Sequence, residues 1–206
     1  SLTAQRNLSV ATGRLQGNYA RLASGLRIAV AADDAAGLAI SERMRSQIRS
    51  YGVASRNAMD GVSLAQTAEG ALSEVSDILG RMRELSMQSA NGTLSNTDRA
   101  TLDTEFQQLI SEIDRISSTT EFNGVSLLDG TSTAIAIQIG IDGTTNDVIN
   151  VSGADVSASN LSVDSASIGT MTDATGVLAT LDTAINSVNS ARGTLGAQQN
   201  RLESTL

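Results

Sequence analysis

Apolar residues recur every three or four positions over most of this chain, a spacing that gathers them on one face of an α-helix. Between residues 2 and 24, Leu8, Leu15, Tyr19 and Leu22 form such a stripe, which Leu26 continues and Ser24-Gly25 interrupts. Asp33-Asp34 then offers an N-cap to Ala-rich sequence. From about Asp34 to Ala90 one seam runs through Met44, Ile48, Tyr51, Ala54, Ala58, Val62, Ala65, Ala68, Leu72, Val75, Leu79, Met82 and Leu85. A helix of that length extends roughly 85 Å at 1.5 Å per residue. Such spacing over several heptads predicts coiled-coil-like packing. Gly52, Gly61, Gly70 and Gly80 lie inside the segment, each costing about 1 kcal/mol relative to Ala. The helix is therefore not expected to stand alone, and its small side chains would admit a close partner.

Asn91-Gly92 supplies a C-terminal stop, and Ser95 to Asp98 resembles a capping box with Asp98 in the usual Glu position. Leu102, Phe106, Leu109, Ile113 and Ile116 mark a second helix, which the short connection folds back antiparallel. It ends over Ser117 to Thr120, and Asn123-Gly124 marks a turn. The period then becomes two: Ile135, Ile137, Ile139 and Ile141 alternate with small or polar residues, and Val148 to Val151 returns as a partner strand. A β-hairpin is expected at about 133–151. Residues 152–172, rich in Ser, Ala and Asp, are expected to be irregular. A last helix begins near 173. Its seam at 178, 181, 185, 188, 192, 195, 199, 202 and 206 is apolar except at Arg192 and Gln199, which are expected to pair with acids of the long helix. The pattern reaches Leu206 without a cap, so the expectation is a fragment of a longer chain. The fold class expected is mainly α, a long antiparallel coiled-coil-like helical bundle with a small β-hairpin region.

Composition narrows the chemistry. The chain is 40% hydrophobic but only 2% aromatic, so its core must be built from aliphatic side chains and Met. No Pro breaks the helices by that route. With no His and no Cys, the commonest general base, the thiol nucleophile and disulfides are all removed. The net charge of −8 argues against nucleic acid as a partner. All fourteen basic residues are Arg, and only Arg192 and Arg201 lie beyond Arg115, so the excess acid sits in the middle and C-terminal parts. No apolar stretch approaches the ~18 residues of a membrane span, so no membrane insertion is expected. No charged-then-apolar leader opens the chain.

What remains offers little for catalysis. Asp33-Asp34 reads as helix capping rather than a carboxylate pair. Asp142, Asn146 and Asp147 lack the spacing of a calcium loop and read as turn chemistry. No phosphate-binding glycine loop follows a strand, and no Ser or Thr has a His base. The expectation is no enzyme, no catalytic, metal or cofactor-binding residue, and no cofactor. Arg81, Leu85 and Gln88 share a helix face by spacing. They form either a solvated face with Leu85 in an intramolecular seam, or an interface anchor with Glu105 brought alongside by antiparallel folding.

Several linked segments resemble bacterial flagellin. They are Arg21 to Ile28, Asp33 to Ile40, Ser55 to Gly61, Gln66 to Leu72, Arg81 to Leu85, Gln88 to Gly92, Glu121 to Val125 and Leu195 to Leu202. The resemblance implies a structural subunit of the bacterial flagellar filament that self-assembles for motility, secreted through the flagellar export apparatus with its chaperones. By the same resemblance, residues 1–30 form an inner-tube helix and linker. Residues 31–206 form an outer-tube helical core domain in which Ser-, Gln- and Arg-bearing faces pack against other flagellin subunits. The usual variable outer domains are expected to be absent or reduced to about 152–172, and the helix that pairs with residues 1–30 to be missing. The family's recognition by Toll-like receptor 5 maps onto Arg81, Leu85, Gln88 and Glu105. The rival readings are a hook–filament junction protein and a surface adhesin on a flagellin-like scaffold.

Overall fold

The computed structural model describes residues 2–131 and 134–206. The chain divides into two units, Ser1–Gly52 and Val53–Leu206. Four helices carry the fold: α1 (Leu2–Ser24), α2 (Ala35–Ser89), α3 (Asn96–Thr119) and α4 (Met171–Glu203). Between α3 and α4 lie two antiparallel pairs, β1 (Glu121–Phe122) with β2 (Val125–Ser126) and β3 (Ile135–Gln138) with β4 (Val148–Val151). The mainly α class with a small hairpin is thus what the chain adopts. The expected hairpin start near 133 lies outside the described residues.

The first unit holds α1 and the opening turns of α2. Asp33 and Asp34 do separate work at its corner. Asp34 Oδ1 accepts the Gly37 N–H at 2.9 Å, capping α2. Asp33 accepts the Ala29 and Val30 N–H groups and pairs with Arg21 at 2.7 Å. The Arg21 hydrogen bond, followed by that from Ala29, lowers the Asp33 carboxyl below its ordinary range. A side chain at Gly37 would displace the ends of the Asp34 and Ile28 side chains, so glycine leaves the Asp34 cap undisturbed. Among the described residues of this unit none is buried. Leu8, Leu15, Tyr19 and Leu22 of α1, and Met44, Ile48 and Tyr51 of α2, are all exposed.

The second unit contains the core. From Ala54 onward α2 turns its seam inward, and Leu72, Val75, Leu79, Met82 and Leu85 are fully enclosed. Facing them are Phe106, Ile110 and Ile113 of α3 and Leu181, Val188, Leu195 and Leu202 of α4. Each such side chain contributes roughly 1.5–3 kcal/mol when removed from water. Both neighbours run antiparallel to α2. Arg81 reaches Glu105 on α3, while Arg83 meets Asp182 and Glu69 meets Arg192 on α4. Arg192 thus finds an acid of the long helix, as its place in the seam predicts. Gln199 does not: its amide donates to Glu203 one turn along α4. Along α4 the seam alternates between buried and half-buried positions as far as Leu202. Helix α4 ends at Glu203, and Leu206 is exposed. The Ser204 N–H bonds Asn200 O and the Thr205 N–H bonds Leu202 O, tightening the last turn away from the seam.

The four glycines of the long seam divide. Only at Gly61 would a side chain meet neighbours, Leu202 at 3.0 Å and Ile137 at 3.2 Å; Gly52, Gly70 and Gly80 face open space. Among these glycines close approach is therefore found at Gly61, while the buried Ala58, Ala65 and Ala68 extend the small-residue face. Ser95 and Asp98 form the capping box of α3, and Asn123 and Gly124, both with positive φ, make a two-residue turn between β1 and β2. β3 stops at Gln138, short of Ile139 and Ile141. Asp147 closes the turn by accepting the Thr144 N–H and hydroxyl, each at 2.8 Å.

Candidate functional site

The face around Arg81 is built where α2 passes α3. Arg81 and Glu84 are one turn apart on α2, and antiparallel packing brings Glu105 across from α3. Arg81 Nε and Nη2 donate to Glu105 Oε1 at 3.0 and 2.9 Å, and Nη1 donates to Glu84 Oε2 at 3.1 Å. Hydrogen bonds from the guanidinium, first to Glu105 and then to Glu84, raise the Arg81 pKa above its usual value. All three side chains are largely exposed. Solvent therefore screens the cluster, which positions charge rather than stabilising the fold.

Of the four residues singled out by sequence, the structure brings Arg81 and Glu105 into contact and leaves Gln88 exposed on the same side of α2. Leu85 departs from the expected shared face. It is 0% exposed, enclosed in the core with Met82 and Leu79. That is the place the seam through Leu79, Met82 and Leu85 predicts, and of the two alternatives it is the intramolecular one, while the residue beside it points outward. The outward position is Glu84, which sequence reading passed over although its step of three from Arg81 and four to Gln88 was visible. Arg83, also passed over, donates from Nε to Asp182 Oδ1 at 2.7 Å. This links α2 to a residue 99 positions away that no local pattern indicates.

A second polar face of α3 escaped notice altogether. Asp103 accepts the Ile168 N–H at 2.7 Å and the Ser167 hydroxyl at 3.0 Å. Gln107 donates to Ala166 O at 2.8 Å, and Asp114 accepts the Ala158 N–H at 2.8 Å. These residues satisfy backbone groups of the irregular segment 152–170, which would otherwise be buried without partners. Held this way, the segment contributes Val156, Ala158, Val163 and Ile168 to the core. Their helical spacing on α3 was the available signal. At the α2–α3 junction the 4%-exposed Arg99 donates to Asn91 O and Leu94 O. Among the described residues no group of three or more His, Cys, Asp or Glu is placed to hold a metal, and no helix is long and apolar enough to cross a membrane.

Comparison with known proteins places this architecture. Residues 1–133 match the family model of the bacterial flagellin N-terminal helical region. Over 206 residues the chain is 46% identical to a flagellin of Halalkalibacterium halodurans, covering 100% of this chain and 76% of that protein. It is 43% identical to the flagellar filament 30.7 kDa core protein of Treponema maltophilum, covering 98% of this chain and 76% of that one. The crystal structure of Bacillus cereus flagellin superposes with a TM-score of 0.65 at 39% identity, covering 72% of this chain and 85% of that one.

Proposed function

The chain belongs to the bacterial flagellin family, structural subunits of the extracellular flagellar filament and not enzymes, and from that premise we propose how it assembles and what recognises it. The observation that carries the reading is the uneven distribution of burial. The second unit completes its own core, while the first exposes every large apolar residue of its stripes. The helix expected to pair with residues 1–30 and neighbouring subunits together cover those stripes. Residues 1–30 line the inner tube, residues 31–206 form the outer tube, and the order gained at the first unit drives addition of each new subunit. Before assembly the subunit passes through the flagellar export apparatus with its chaperones. Electron microscopy of seeded polymerisation tests this. The parent protein is expected to give tubes, and a Leu15→Asp/Tyr19→Asp variant with an unchanged helical spectrum is expected to stay monomeric. Tubes from that variant would overturn the reading.

The Arg81 face is, on the same proposal, where Toll-like receptor 5 engages the free subunit. Arg81, Glu84, Gln88 and Glu105 supply the surface, and Leu85 supports it from beneath. Receptor binding should weaken for Arg81→Ala with the fold intact. For Leu85→Ala it should weaken only in step with the loss of folded protein. Unchanged affinity for Arg81→Ala would remove the receptor from this face.

A further inference from the structure

Charge and exposed apolar surface coincide in the first unit. Residues 2–32 contain Arg6, Arg14, Arg21 and Arg27 and not one acid. On α1 the stripe of Leu8, Leu15, Tyr19 and Leu22 occupies one face, and by helical angle Arg6, Arg14 and Arg21 fall on its flank and far side. The two acids that follow are already engaged, Asp33 by Arg21 and two backbone N–H groups, Asp34 as the cap of α2. Arg6, Arg14 and Arg27 make no ion pair among the described residues. The start of α2 repeats the chemistry, with Ile40, Met44, Ile48 and Tyr51 exposed and Arg43, Arg45 and Arg49 against the single acid Glu42. Up to Gly52 seven arginines thus face three acids, whereas the whole chain carries −8.

We propose that, in the unassembled chain, this first unit adsorbs to an anionic lipid bilayer, with α1 lying in the interface and its leucines and Tyr19 facing the acyl region. An amphipathic helix with basic residues on its polar face and low overall hydrophobicity has this behaviour. Tyr19 suits the boundary because its ring is apolar and its hydroxyl is wet. A polyanion such as nucleic acid would answer the arginines but leave the leucine stripe in water. A bilayer of phosphate headgroups over acyl chains answers both. Adsorption is distinct from spanning, for which no helix here is long and apolar enough. The inference concerns the free monomer and does not depend on the receptor reading.

Cosedimentation of the monomeric chain with vesicles of phosphatidylglycerol in phosphatidylcholine, against pure phosphatidylcholine, tests it. Binding is expected to the anionic vesicles, weakening as salt is raised. Each arginine near the surface accounts for about fivefold in affinity, about 1 kcal/mol, so Arg6→Gln/Arg14→Gln should bind roughly 25-fold more weakly. Leu15→Ser/Leu22→Ser should lose binding, and Arg115→Gln, in the second unit, should keep it. Thermal unfolding verifies that the second unit of each variant is folded, and the helical signal of far-ultraviolet circular dichroism verifies that α1 keeps its helix. Equal binding to neutral and anionic vesicles, or full binding by the arginine variant, overturns the proposal. So does self-association without vesicle binding, which would give the face to a second copy instead.

Discussion

Leu15 in α1 and Leu195 in α4 sit in apolar stripes of the same three-four spacing, yet Leu15 is 55% exposed and Leu195 only 2%. The two helices differ little in kind. What separates them is what lies opposite. α4 meets the small-residue face of α2 at Gly61 and the enclosed leucines beyond it, and α1 buries nothing. The same contrast runs along α2, where Ile48 and Tyr51 are exposed and Leu72 and Leu79 are enclosed. A periodic stripe states that a face needs a partner. Whether the partner is in the same chain is a separate fact.

The comparison can be broken most directly by truncation at matched positions. Phe106→Ala, in the second unit, should lower unfolding free energy by about 3–5 kcal/mol in denaturant titration. Leu15→Ala should leave that transition unmoved; a comparable loss would mean that α1 is part of the cooperative core. The glycines sharpen the picture. Gly61→Val pushes against Leu202 and Ile137 and should destabilise by about 1–3 kcal/mol. Gly70→Ala, facing open space, should stabilise by up to about 1 kcal/mol through helix propensity. If the two change stability alike, the packing assigned to Gly61 is wrong.

Amide exchange reads the contrast without mutation. Amides of Leu2–Ser24 should exchange far faster than those of residues 64–85, because only the latter sit on a filled core. Strong protection of α1 in a verified monomer would contradict the comparison. The smallest effect is that of pH. Asp98, Asp129, Asp147 and Asp182 are all held below their ordinary value of 3.8 by hydrogen bonds, to Ser95, Thr131, Thr144 and Arg83 respectively. A depressed carboxyl contributes stability above its unfolded pKa and loses it as pH falls through the folded one. With no His in the chain, the melting temperature of the second unit should be flat through neutral pH and decline only below about pH 4. A decline between pH 5 and 7 would need another titrating group.

Much of this protein is written locally. The capping box at Ser95 and Asp98, the cap at Asp34, the Asn123-Gly124 turn and the helical and strand periods each depend on residues within a few positions, so the sequence alone determines them. The inward faces of α3 and α4 follow from the same periodicity. Other features depend on groups that meet only after folding. The seam already turns Leu85 inward, but that Glu84 beside it joins Arg81 and Glu105 in one cluster depends on α3 packing across α2. Asp103, Gln107 and Asp114 look like a solvated helix face until segment 152–170 lies down on them and its backbone needs partners. Arg83 finds Asp182 across 99 positions, and Gln199 donates to Glu203 of its own helix. Periodicity depends on bond geometry and is repeated at every turn, so it can be read in advance. Burial and pairing depend on which surfaces compete for one another, and that competition was settled only by the tertiary structure.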